Sequence, residues 1–250
     1  MYPETINPIS MARFENGNLR GSIGKITFYV MGNKNYAKSK PGKRNKKRNA
    51  KPDRRQVRFG NASSLGTPII NHLKPYLLFH FKLNTYNDFR GWCCKELPEH
   101  DNQAAWNLSV ADTVLYNINR DADLPDQLLI MPEAVLMEDG KVKISFPSFV
   151  PVKKIKAPAK TQQVNIQLLA VSAPVSDSRK TCNIDIDNFL VDYNKQTVAA
   201  KEFLLETGNT AGNLLLIIIA LVFMTDSTKP NTYVPDVKCL PAAIVAAGIA

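Results

Sequence analysis

The sequence predicts an α+β protein that is mainly β, with an N-terminal hairpin, a basic arm and helices followed by an antiparallel β-sandwich, immunoglobulin-like or related. Three observations predict it. Beyond Pro125, strand-length apolar runs follow one another with only Gly, Pro, Asp and Ser clusters between them, leaving no room for the crossover helices that a parallel sheet requires. Val142, Ile144 and Phe146 alternate with polar residues, as do Val164, Ile166 and Leu168, which is the period of a half-buried strand. The excess charge of the chain is confined to one N-terminal stretch that lacks large apolar residues.

Taken in order, residues 1–10 read as a disordered leader, and Met11, opening MARFENG, is a plausible natural start in place of Met1. Residues 11–75 read as a glycine-rich hairpin, a basic arm and a helix. Leu19 to Val30 has strand-like residues after a glycine-rich opening, and MGNK at 31–34 is a turn signal. Residues 40–55, KPGKRNKKRNAKPDRR, bury too little surface to offset the entropy of ordering. Beyond them Val57, Ala62, Leu65, Ile69 and Leu73 trace one helical face, although Gly60, Gly66 and Pro68 make a broken helix as reasonable as a continuous one.

Residues 76–124 read as a helical connector, with a helix over Asp101–Asn119 in which Ala105, Leu108, Asp112 and Leu115 share a face. Residues 125–250 read as the sandwich, in which LLIMPEAVLM, KVKISF, QVNIQLLAV, CNIDIDNFLVDY, KEFLLE, NLLLIIIALVFM and TYVPDVKCL are the strand-length runs. The run from Leu214 to Met224 has eleven apolar residues, short of the ~20 that a membrane helix needs. Its branched composition suits a strand buried on both faces. No membrane span is expected, and the opening MYPETINPIS lacks the features of a secretory signal, so a cytoplasmic location with reduced Cys93, Cys94, Cys182 and Cys239 is expected.

The chemistry available to the chain is limited. GNLRGSIGKIT at 17–27 has the flavour of a phosphate loop, but its spacing fails: the required first glycine falls at Leu19, and Ile26 stands where a hydroxyl residue should follow Lys25. Cys93, Cys94 and His100 have no second ligand pair for zinc. No nucleophile elbow surrounds any serine, and Asp185 with Asp187 alternates onto one strand face. No catalytic residue, metal or cofactor is therefore expected, and an enzyme is not.

What remains is electrostatic. Lys34 to Arg58 holds twelve Lys or Arg against one acid, Asp53, while the rest of the chain has 20 bases and 21 acids. Such an arm neutralises phosphates and releases counterions. Lys43, Arg44, Lys46, Lys47, Arg48, Arg54 and Arg55 are the expected contacts to nucleic acid or another polyanion. The alternative is a structural or assembly subunit, phage-related or surface-associated, whose arm and apolar strands grip other proteins or further copies of the chain. Aromatic residues for stacking on bases look sparse, with only Tyr36 and Phe59 flanking the arm.

The N-terminal third also carries a recognisable pattern: Met11-Ala12, Asn16-Gly17, Leu19, Gly21, Gly24-Lys25-Ile26, Tyr36, Ser39, Pro41, Gln56, Arg58-Phe59 and Leu73-Lys74-Pro75. On these residues the chain resembles the bacterial domain-of-unknown-function family numbered 6266, abundant in Bacteroidota. The resemblance covers about 65 residues, and later glycines of the pattern are replaced by Thr27 and Val30. It implies that the glycines are a family signature rather than a nucleotide loop, and it implies no activity.

Overall fold

A computed structural model describes residues 12–15, 17–31, 34–40, 54–96, 116–137, 141–174, 182–208, 213–226 and 232–249. They belong to two compact units, residues 1–52 and 53–250. The fold is α+β and mainly β, and all strand pairs among the described residues are antiparallel.

The first unit contains a four-stranded meander, β1 (Arg13–Glu15), β2 (Asn18–Ile23), β3 (Ile26–Met31) and β4 (Lys34–Ser39), in that spatial order. The expected hairpin, with its reversal between Met31 and Lys34, is the β3–β4 pair at one edge of this larger sheet. Gly24 and Lys25 form the two-residue turn between β2 and β3, closed by Ile23 opposite Ile26. Gly24 has φ +54°, the positive value that such hairpin turns demand at their first central position and that glycine adopts without a steric penalty. The Gly-Lys pair therefore serves strand reversal, with no helix following it as a phosphate loop would need.

The second unit begins with α1 (Arg54–Leu73) and α2 (Leu83–Glu96). α1 is continuous through Pro68. A proline inside a helix costs about 3 kcal/mol. Each fully buried large side chain returns about 1.5–3 kcal/mol, and Leu65, Ile69, Ile70 and Leu73 are all buried on the face that α1 turns to the core, so the packing wins. Gly66 lies at a close approach of the two helices, since a Cβ there would sit 3.3 Å from Cδ1 of Phe89. Beside it Arg90 donates from Nε and Nη2 to Thr67 Oγ1 at 3.1 and 2.8 Å.

After α2 come β5 (Tyr116–Asn117), α3 (Leu124–Gln127), β6 (Glu133–Leu136), β7 (Lys141–Phe146), α4 (Pro151–Lys154), β8 (Gln163–Pro174), β9 (Asn183–Asp192), β10 (Lys201–Glu206), β11 (Asn213–Met224) and β12 (Ala242–Ile249). One sheet has the order β5-β12-β11-β8-β9 and the other β10-β7-β6. Val142, Ile144 and Phe146 from the smaller sheet share a core with Val164, Ile166, Leu168, Ile217 and Ile219 from the larger one. The opposite face of the larger sheet, with Leu169, Val171, Leu216, Ile218 and Ile244, packs against α1 and α2.

This third, helical layer explains two sequence patterns. In β8 the alternation of Gln163, Asn165 and Gln167 with buried residues gives way from Leu168 onward to unbroken burial, as it must where both faces are covered. β11 is buried along almost its whole length for the same reason.

Three expectations are corrected. The end of the helix placed over Asp101–Asn119 is instead strand and bend: Tyr116 and Asn117 pair with Ile244 and Ala243, and residues 101–115 lie outside the described residues. TYVPDVKCL is not a strand, because Pro235 confines it to one bridge, Tyr233 to Met224, and a 3-10 turn at Val237–Cys239 whose Lys238 N–H donates to Asp236 Oδ1. The C-terminal run instead supplies β12, paired with β11 from Leu214 to Ala220 with one bulge. The boundary drawn at residue 75 groups α1 with the arm, whereas α1 shares the core of the sheets in the second unit.

Candidate nucleic-acid interface

Residues directly opposite in an antiparallel pair share a face, and neighbours along a strand alternate. Tyr29 lies opposite Tyr36, Thr27 opposite Lys38 and Met31 opposite Lys34. One face of the β3–β4 pair therefore carries Thr27, Tyr29, Met31, Lys34, Tyr36 and Lys38. The other carries Ile26, Phe28 and Val30 with Asn35, Ala37 and Ser39, and Ile23 joins it opposite Ile26. The meander is amphipathic, apolar on one side and basic with aromatics on the other.

On the basic side the tyrosine rings stack, with centroids 5.6 Å apart and planes 20° from parallel. Lys38 Nζ sits 5.3 Å from the centroid of Tyr29. Ser22 and Thr27 join their hydroxyls at 3.1 Å on the same face. All four residues of the Lys34–Tyr36–Lys38 and Tyr29 set are exposed. At the far edge Arg13 stands opposite Arg20, a like-charge cross-strand pair that is unfavourable in isolation. Gly21, at φ +113°, interrupts the alternation of β2, so this pair is placed by register alone.

Of the expected polyanion contacts, Lys43, Arg44, Lys46, Lys47 and Arg48 lie outside the described residues. Arg54 and Arg55 are the first two residues of α1, whose first turn contains no acidic residue. The first unit has twelve Lys or Arg against two acids, and the second has 20 of each.

Sequence reading missed the pairing of Tyr29 with Tyr36. The signal was present: a reversal between Met31 and Lys34 brings positions 29 and 36 opposite each other.

A separate open cavity of about 450 Å³ in the second unit is lined by His72, Tyr76, Cys182, Asn183, Glu206 and Gly208. Burial raises the pKa of the Cys182 thiol, which opposes formation of the thiolate that nucleophilic chemistry needs. His72 Nδ1–H donates to the Pro68 carbonyl at 2.8 Å, and Lys141 holds Glu206 at 3.3 Å. Burial also pushes Cys93 up to about 12, with a smaller upward push from neighbouring Cys94. All four cysteines are free.

Asp185 and Asp187 do share a strand face, but it is a half-buried one, where Asp185 Oδ2 accepts from the Glu206 N–H at 2.6 Å. No group of three or more His, Cys, Asp or Glu among the described residues is placed to hold a metal ion. No helix among the described residues is long and apolar enough to cross a membrane. Comparison with protein-family models, with curated proteins and with solved structures finds no match to this chain.

Proposed function

We propose that this chain is a non-enzymatic binding protein whose basic arm, with Lys43, Arg44, Lys46, Lys47, Arg48, Arg54 and Arg55, contacts nucleic acid or another polyanion. The observation that supports the reading is the segregation of charge: β4 carries exposed lysines on one face of the meander, and the basic arm follows β4 directly in sequence. Phosphate contacts of this kind need positive charge at a density that counterion release rewards, and no base-specific geometry. The free cysteines support a reducing, cytoplasmic setting. The N-terminal resemblance to the family numbered 6266 is part of the same proposal and adds no activity to it.

Gel retardation of labelled DNA and RNA by the full chain tests the reading. With six or more phosphates engaged, affinity falls by about 10³-fold or more between 50 and 200 mM salt. Replacing the seven residues with Ser weakens binding and makes that fall shallower. Absent binding, or binding that ignores both salt and the replacement, refutes it.

A second reading, an assembly subunit, is favoured by the opposite face of the meander, where Ile23 and Ile26 are 58% and 46% exposed. Apolar surface of this kind marks a protein contact when it is contiguous. Light scattering of the full chain separates the two readings. A stable oligomer that dissociates when Ile23 and Ile26 become Ser, with no retained nucleic acid, favours assembly.

A further inference from the structure

Resting on the polyanion-binding reading above, we propose that the Tyr29–Tyr36 face of the meander is a stacking platform, and that the polymer it takes is single-stranded nucleic acid. Three features of that face carry the inference. The two rings are adjacent, stacked and exposed at the sheet surface rather than buried in a core. Lysines lie two residues to either side of Tyr36 on the same strand and face, a step of about 7 Å along a strand, so cations flank the aromatic pair on both sides. Lys38 rests over Tyr29 at 5.3 Å, a contact that a stacking base displaces as Nζ turns to its phosphate.

Geometry decides between single strand and duplex. Four strands at about 4.8 Å spacing span ~14 Å before side chains are added. The B-DNA major groove is about 12 Å wide, so the meander does not enter it as a two-stranded ribbon would. Against the outside of a duplex the tyrosines meet only sugar and phosphate, and their ring faces go unused. An unpaired strand lying across β3 and β4 offers base faces to the rings and phosphates to Lys34 and Lys38. Base stacking on an aromatic side chain tolerates any sequence, because every base has a π-face.

Fluorescence anisotropy of a labelled oligo(dT), set beside a labelled duplex hairpin of equal phosphate count, tests the inference with the full chain. The unaltered protein binds the single strand more tightly. The double variant Tyr29→Val with Tyr36→Thr keeps β-branched residues in both strands. It loses about 5- to 150-fold in affinity for oligo(dT), the worth of one stacked base, while its duplex affinity and its salt slope stay unchanged. Tyr29→Phe with Tyr36→Phe retains the rings and the affinity.

Ultraviolet crosslinking of the unaltered chain to oligo(dU), mapped by mass spectrometry, is the check that needs no substitution, and adducts fall on Tyr29 or Tyr36. Equal affinity for both polymers that survives loss of the tyrosines, or adducts confined to other residues, overturns the platform and leaves the basic-arm reading standing. Failure of the unaltered chain to bind either polymer removes both.

Discussion

If β11 is covered on both faces, truncating its side chains costs the same whichever way they point. Ile217 and Ile218 provide the comparison, since both are fully buried. Ile217 points into the core between the sheets, opposite Ala170 and Ala246, and Ile218 points into the core under the helices, opposite Leu169 and Ile244. Ile→Ala removes three carbons, worth about 2.4 kcal/mol of transfer free energy at ~0.8 kcal/mol each. The cavity left behind adds to that, for a total of about 3–4 kcal/mol within the 2–5 kcal/mol range of such changes. Urea denaturation followed by far-ultraviolet circular dichroism, with an unchanged slope, measures both variants. A sandwich of two layers only would leave Ile218 at the surface, where substitutions stay within about 0.5 kcal/mol. A cost below 1 kcal/mol for Ile218→Ala beside a full cost for Ile217→Ala refutes the helix layer.

Other outcomes follow from single residues. Gly24→Ala meets no atom within 4 Å, so its cost is the positive φ alone, about 1–2 kcal/mol, read as faster hydrogen exchange of the β3 amides. Asn119, 3% exposed, donates from Nδ2 to the carbonyls of Val237 and Leu240 at 2.7 and 2.8 Å; Asn119→Ala strands these acceptors and lowers stability by about 1–3 kcal/mol in urea. Burial lifts Cys93 from 9.0 to about 12 and Tyr116 from 10.0 to about 12, the latter against the opposing charge of Arg120. The folded chain therefore holds these protons more tightly than the unfolded one, and stability present below pH 9 declines as pH rises from about 9 toward 12. Denaturation at pH 8 and pH 11 checks the sign, and higher stability at pH 11 contradicts it.

The strands of the second unit were legible because their side chains obey period two or are uniformly apolar: Val142, Ile144 and Phe146 are all buried as that spacing implies. The helix face of Ala62, Leu65, Ile69 and Leu73 was legible for the same reason at a longer period. Its continuity was not, because Pro68 and Gly66 argue locally against a helix, and only packing against Phe89 and the sheet overrides them. β12 was obscured because AAIVAAGI is rich in alanine, which carries no strand preference, and its place beside β11 is set by tertiary pairing.

The basic arm was plain from composition, whereas the aromatic face beside it depends on a cross-strand register that charge counting does not see. Alternation placed Asp185 on one strand face with Asp187, but not its contact with β10, where the Glu206 N–H donates to it between strands from different sheets.

The claim on which the functional account stands is that the cationic first unit grips phosphates. It is tested most directly by the logarithm of the association constant for a 20-nucleotide single strand, measured on the unaltered chain across a salt series. The account predicts a straight line falling by about 0.7 per phosphate engaged, with several phosphates engaged. A flat line, or no association at the lowest salt, contradicts it.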